Sequence, residues 1–218
     1  MKLKNKMQNL FIETYRHNKW GSSESFSGVG SQLNYTYNFR TKLEEIILTK
    51  KIKTIFDCSC GDWRWMSQVN FYGAKYIGND IVPDIIERNK NLFLKDNITF
   101  INNDCLSSLK ELEDRSIDLI ICRHTLEHIE TEYCVEVCKE IKRVGSFALI
   151  TSNNTETGKS NIALNMDGHS ARQIDLEKPP FFDILKKPAR RIWDSKGHNL
   201  NNVEQYNGIN FYEFEKEI

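Results

Sequence analysis

The feature that most constrains the fold is a rhythm between residues 54 and 151, where short β-rich runs alternate with stretches of helical periodicity. Residues 54–58, 75–80, 98–101, 117–122 and 147–151 read as five strands. Pro83, suited to a first helical turn, opens a helix with apolar positions Ile85, Ile86, Leu92 and Phe93. Cys134, Val137, Cys138 and Ile141 mark another, and Phe39, Leu43, Ile46 and Ile47 recur at i, i+4, i+7 and i+8 as an amphipathic stripe upstream. Strand–helix alternation predicts parallel βαβ units with helices on both faces, a doubly wound α/β sheet of the Rossmann-like kind.

The flanks read differently. Residues 1–20 predict a helix with Leu10 and Phe11 on one side, and the Gly- and Ser-rich run WGSSESFSGVGS at 20–31 predicts a loop. Beyond residue 152 the rhythm stops, with Pro179-Pro180 blocking regular structure. Residues 189–193 and 210–214 predict a last, antiparallel pair at the sheet edge. We expect one compact domain: residues 1–36 as N-terminal helix and lid loop, residues 37–218 as the α/β body.

Charge and cysteine usage narrow the functional classes. Thirty basic and thirty acidic side chains cancel, so no global positive field favours a polyanion, which argues against a nucleic-acid acceptor. No apolar run approaches the roughly 18 residues of a membrane span, and the basic start lacks the apolar stretch of a signal peptide. A cytoplasmic, intracellular protein is therefore expected. Cys58 and Cys60 have no second pair at metal-ligand spacing, so no metal site is expected, and the six cysteines are read as reduced, buried thiols.

In open α/β sheets, ligands bind beyond the carboxyl ends of the strands. The first strand delivers Asp57-Cys58-Ser59-Cys60-Gly61-Asp62, a small-residue turn that lets a ligand approach the backbone, and the start of the helix expected next offers free N–H groups. The second ends in Asp80, placed to accept from both hydroxyls of a ribose. The third leads to Asp104, which could accept from an exocyclic amine, and the fourth to Arg123-His124. Each acid has a plainer reading as a turn or helix cap, but three at successive strand ends favour one nucleoside site. The Gly-x-Gly-x-x-Gly fingerprint of a dinucleotide site is absent, since Ser59 precedes Gly61. A phosphate-free nucleoside fits this sparser turn better.

On these residues the chain resembles class I S-adenosylmethionine-dependent methyltransferases of the bacterial and viral group associated with glycan modification. The matching stretches are Trp20-Gly21 with residues 27–31, residues 57–66, residues 76–83, residues 122–128 and residues 176–181. The resemblance implies a seven-stranded sheet, mostly parallel with an antiparallel last strand, and S-adenosyl-L-methionine as cofactor. It implies donor contacts from Asp57, Ser59, Gly61, Asp80, Ile81, Asp104, Cys105 and Arg123. Trp20 and Ser31 of the lid join them, and Arg40 has two readings, at the methionine carboxylate or on the surface of the Phe39 helix. Ser59 stands where many relatives carry Gly or Pro, and His124 where they often carry Asp.

Methyl transfer to a hydroxyl needs positioning and a base with a pKa near neutral. His124 is the first choice for that base, with His128 four residues on as the second, although a structural role suits His128 at least as well. Trp65, Asn153, His169 and Arg172 are candidates for the acceptor side; core packing competes for Trp65, and loop positions for the others. The expected activity is O-methylation of a sugar or glycan hydroxyl, on a small-molecule or glycan-linked acceptor, in possible association with a glycosyltransferase. The alternatives are a non-catalytic S-adenosylmethionine-binding module and a methyltransferase acting on protein or nucleic acid.

Overall fold

The computed structural model describes residues 2–153, 160–161, 170–198 and 204–214. Seven strands form one sheet: β1 (Thr54–Asp57), β2 (Lys75–Asp80), β3 (Ile98–Asn102), β4 (Ile117–Cys122), β5 (Gly145–Ser152), β6 (Arg190–His198) and β7 (Glu204–Glu213). Their spatial order is β3-β2-β1-β4-β5-β7-β6. The first five pair in parallel, and β7 runs antiparallel between β5 and β6. The chain thus steps outward from β1 to β2 and β3, then returns to β4 on the other flank. That reversal opens a crevice at the carboxyl ends of β1 and β4.

The alternation of side chains along each strand builds two cores. Ile55, Leu119 and Ile121 face one side, where α2 (Tyr37–Thr49) inserts Phe39, Leu43, Ile46 and Ile47, and α3 (Pro83–Phe93) adds Ile86. Phe56, Ile120 and Cys122 face the other, against α4 (Cys105–Lys110), α5 (Thr131–Val144) and α6 (Phe181–Leu185). Both faces are covered, as the doubly wound reading requires. Each fully buried Leu, Ile or Phe on these faces contributes about 1.5–3 kcal/mol, so the α2 stripe alone is a major anchor. Leu92, expected on the apolar side of α3, is instead exposed, because Phe93 takes the contact with the core.

Two local expectations are corrected. A helix was expected after β1, but residues 58–68 make turns and a single 3-10 turn, Met66–Gln68. Gly61 and Trp63 both take left-handed φ, 56° and 57°, which breaks helical continuation and drives Trp63, Trp65 and Met66 into the core. The terminal strands are longer than the sequence suggested, since β6 and β7 pair with each other past Trp193 through a register shift.

The N-terminal helix α1 (Lys2–Arg16) packs Met7 and Phe11 beside the α4–α5 face. No helix among the described residues is long and apolar enough to cross a membrane. All six cysteines are buried free thiols.

Candidate functional site

A cleft of about 290 Å³ lies at the carboxyl ends of β1, β2 and β4. One wall consists of strand ends: Asp57 to Gly61, Asp80 and Ile81, Asp104 and Cys105, then Arg123 to Thr125. The opposite wall comes from α1 and the loop after it, through Met7, Phe11, Tyr15, Trp20 and residues 27–31. His128, Ile129 and Tyr133 close one end. The size sits near the lower limit of small-molecule pockets, roughly 300–1,000 Å³.

Three carboxylates converge here, each buried and each held differently. Asp57 accepts a hydrogen bond from the Tyr76 hydroxyl at 2.7 Å. Burial outweighs this bond and pushes its carboxyl up to about 7. Asp80 accepts from the Gly61 amide at 3.1 Å and the Val82 amide at 3.0 Å, and burial raises it to about 6. Asp104 caps α4 by accepting from Ser107 N at 3.0 Å. Burial works to raise it too, but hydrogen bonds from Tyr133, Ser107 and Lys4 win and hold it at about 2. Lys4 of α1 also pairs with its Oδ2 at 3.0 Å.

The turn after β1 was expected to offer free amides to a ligand. Its amides are instead engaged within the protein: Cys60 N donates to Asn79 O, Gly61 N to Asp80, and Asp62 N to Ser27 Oγ. Gly61 is essential to the packing, because a Cβ there would lie 2.2 Å from Ser27 Oγ. Asp62, only 2% exposed, fastens the lid loop from below. Its carboxylate accepts from Ser25 Oγ at 3.0 Å and from Phe26 N at 2.8 Å. Tyr15 adds a hydrogen bond to Ser27 at 3.0 Å. Trp20 lies edge-on to Tyr15 at 5.1 Å and tilted against His128 at 5.7 Å. Gly28, at φ 92°, makes room for it: a Cβ at this position would come within 2.8 Å of Trp20 Cβ. Ser31 is buried in the same loop.

Arg123 carries the permanent positive charge among the described cleft residues. Its guanidinium lies over Trp65 at 5.3 Å and Phe39 at 5.7 Å, and Nη2 donates to Gly30 O at 2.8 Å. Trp65 packs in the core and also lines the cleft. Next along the chain, His124 takes a left-handed φ of 51° and donates its amide to Thr151 Oγ1 at 2.8 Å. Its Nδ1 lies 2.8 Å from Glu127 Oε1. His128 follows in a 3-10 turn, Leu126–His128, so the two imidazoles do not share a helix face. Both nevertheless line the cleft, with His128 Nδ1 donating to Ser170 O at 3.0 Å.

Three expected site residues lie off the cleft lining. Arg40 donates to Leu33 O at 2.9 Å. Arg172 is buried against the start of α5, donating to Ile129 O and Thr131 Oγ1, both at 2.7 Å. Asn153 donates its amide to Ile174 O. His169 falls outside the described residues. Sequence reasoning passed over Asp62, Ser27, Tyr15 and Glu127. Asp62, Ser27 and Glu127 lie within stretches already singled out, but neither their burial nor their partners were legible there.

The strand order with its reversed β7, and a cleft at the β1–β4 switch, define the α/β methyltransferase fold. Residues 56–146 match the family model described as a methyltransferase domain. The magnesium protoporphyrin IX methyltransferase of Synechocystis, solved with bound S-adenosylmethionine, is similar over 97% of both chains, at 15% identity and TM-score 0.62. The 1,6-didemethyltoxoflavin N1-methyltransferase of Burkholderia thailandensis is 11% identical, with 96% of this chain and 87% of that one covered, at TM-score 0.65. An S-adenosylmethionine-dependent methyltransferase of Leishmania major is 11% identical, covering 92% and 82%, at TM-score 0.66. Among curated protein sequences, none matches the chain.

Proposed function

We propose that the protein is an S-adenosyl-L-methionine-dependent methyltransferase whose acceptor is a hydroxyl of a small molecule or glycan. The observation that carries this reading is the convergence of Asp57, Asp80, Asp104 and the His124 imidazole on one cleft. When bound, the cofactor supplies an electrophilic methyl on a sulfonium. Asp80 is suited to the ribose hydroxyls, since each of its oxygens accepts one backbone amide and keeps a lone pair. Asp104, at the cleft wall beyond β3, would take the adenine amine. Asp57, at the β1 end, would take the amino group of the methionine portion, and Arg123 would supply the positive charge for its carboxylate. Trp20, Ser31, Ser59, Ile81 and Cys105 complete the walls. Binding the donor in line with the acceptor does most of the work in such a displacement, and His124 provides the base that a hydroxyl additionally needs.

The sugar assignment rests on the resemblance to glycan-modifying methyltransferases and on the imidazole at the cleft. The test is a mass-spectrometric assay of the purified protein with donor and a panel of mono- and oligosaccharides beside non-sugar alcohols. Methyl gain on a sugar hydroxyl is expected. Donor binding by calorimetry with no transfer to any hydroxyl would replace the enzyme reading with that of a donor-binding module.

A further inference from the structure

Glu127 lies outside the cleft lining, yet it is a carboxylate only 3% exposed. Its Oε1 stands 2.8 Å from His124 Nδ1, while the imidazole itself is 24% exposed at the cleft. The backbone around the pair is constrained as well. His124 sits at φ 51°, its amide tied to Thr151 of β5, and Glu127 O accepts the Arg172 amide at 3.1 Å. Left-handed backbone at a non-glycine residue is sparsely populated and persists where surrounding contacts enforce it. The bonds on either side of the imidazole are such contacts.

Resting on the methyltransferase reading above, we propose that Glu127 is the positioning residue of His124. An ionised carboxylate accepts the Nδ1 proton, so the neutral ring is fixed as the tautomer whose Nε2 is the base. That ring edge faces the lid, where a Cβ placed on Gly30 would lie 3.8 Å from Nε2. In the transfer step the acceptor oxygen forms its bond to the methyl carbon as the carbon–sulfur bond breaks, with that electron pair going to sulfur. The hydroxyl proton passes to His124 Nε2, and the imidazolium that results is stabilised by the Glu127 anion. Solvent then takes the proton. The anion is available at neutral pH: burial works to raise the Glu127 carboxyl, but the His124 charge and hydrogen bond, with the His128 charge, hold it below its usual value. Other charged or titratable groups around the pair among the described residues are Arg123, Arg172 and the thiols of Cys122 and Cys134. Arg172 directs its guanidinium to Ile129 O, Thr131 and Cys134.

The test uses the full chain and needs no acceptor. Nitrogen-15 and carbon-13 spectra of the imidazoles, recorded across pH, should show His124 as the Nδ1–H tautomer. In Glu127→Gln its pKa should fall by about one unit or more, because a neutral amide no longer favours the imidazolium. A folded Glu127→Gln protein with unchanged His124 tautomer and pKa would overturn the proposal. Glu127→Asp, which keeps the charge, should retain much of the wild-type pKa, and it carries the same comparison if the amide variant does not fold. Once an acceptor is in hand, Glu127→Gln should lower kcat about 100-fold with little change in donor Kd, moving the acid limb of the pH profile downward. If His124→Ala keeps full activity, the base reading itself fails. If His124→Ala is inactive but Glu127→Gln leaves kcat and the acid limb as in wild type, only the positioning role fails.

Discussion

Asp57 and Asp80 show how much of a residue's chemistry depends on burial rather than identity. Folding raises both carboxyls, to about 7 and about 6. A raised carboxyl holds its proton more tightly in the folded chain, so the stability it contributes is complete below the unfolded pKa and fades as pH climbs through the folded one. The thermal midpoint of the donor-free protein should therefore decline from about pH 4 to about pH 7, and Asp57→Asn should flatten that decline. A variant whose midpoint tracks the wild type across this window would show that Asp57 titrates normally. Asp104 and Glu127, both lowered, act in the opposite sense and at more acidic pH. At this scale the sequence was informative where chemistry followed strand ends: Asp57, Asp80, Asp104, Arg123 and His124 all line the cleft. It was uninformative for Asp62 and Glu127, whose partners come from the lid loop and from a left-handed residue that no periodicity announces.

At the scale of elements, the lid is the part least determined by local pattern. Its Gly- and Ser-rich composition said loop, and the structure adds that Asp62 clasps it through Ser25 and Phe26 while Ser27 meets the amide of Asp62. A hydrogen bond to a charged group is worth about 1.5–3 kcal/mol. Asp62→Ala should thus speed donor dissociation by at least about tenfold in stopped-flow measurements, with deletion of residues 1–31 giving a larger effect. Dissociation at the wild-type rate in both proteins would remove the lid from donor retention. The strands were legible because each is a short apolar run bounded by polar residues. The missing helix after β1 was not, because Trp63, Trp65 and Met66 mimic an amphipathic turn while two left-handed residues forbid one.

For the whole molecule, the order of βαβ units prescribed a parallel sheet, and the polar stretch after β5 marked where the alternation ended. An antiparallel pair at the sheet edge was legible in the sequence, but the insertion of β7 between β5 and β6 depends on long-range pairing that no local pattern announces. A ligand that binds only the folded state stabilises it by mass action, about 2.7 kcal/mol at 100 times Kd. S-adenosylmethionine should therefore raise the melting temperature in a concentration-dependent way, whereas a nicotinamide dinucleotide should not. Equal shifts from both would argue for a general nucleotide site. Under the proposed function the cover over the cleft would also set a tempo. A strap stitched down by serines and a hidden aspartate would have to peel back twice in each round, once to admit fresh donor and once to shed the spent thioether, so the undoing of that stitching would cap throughput.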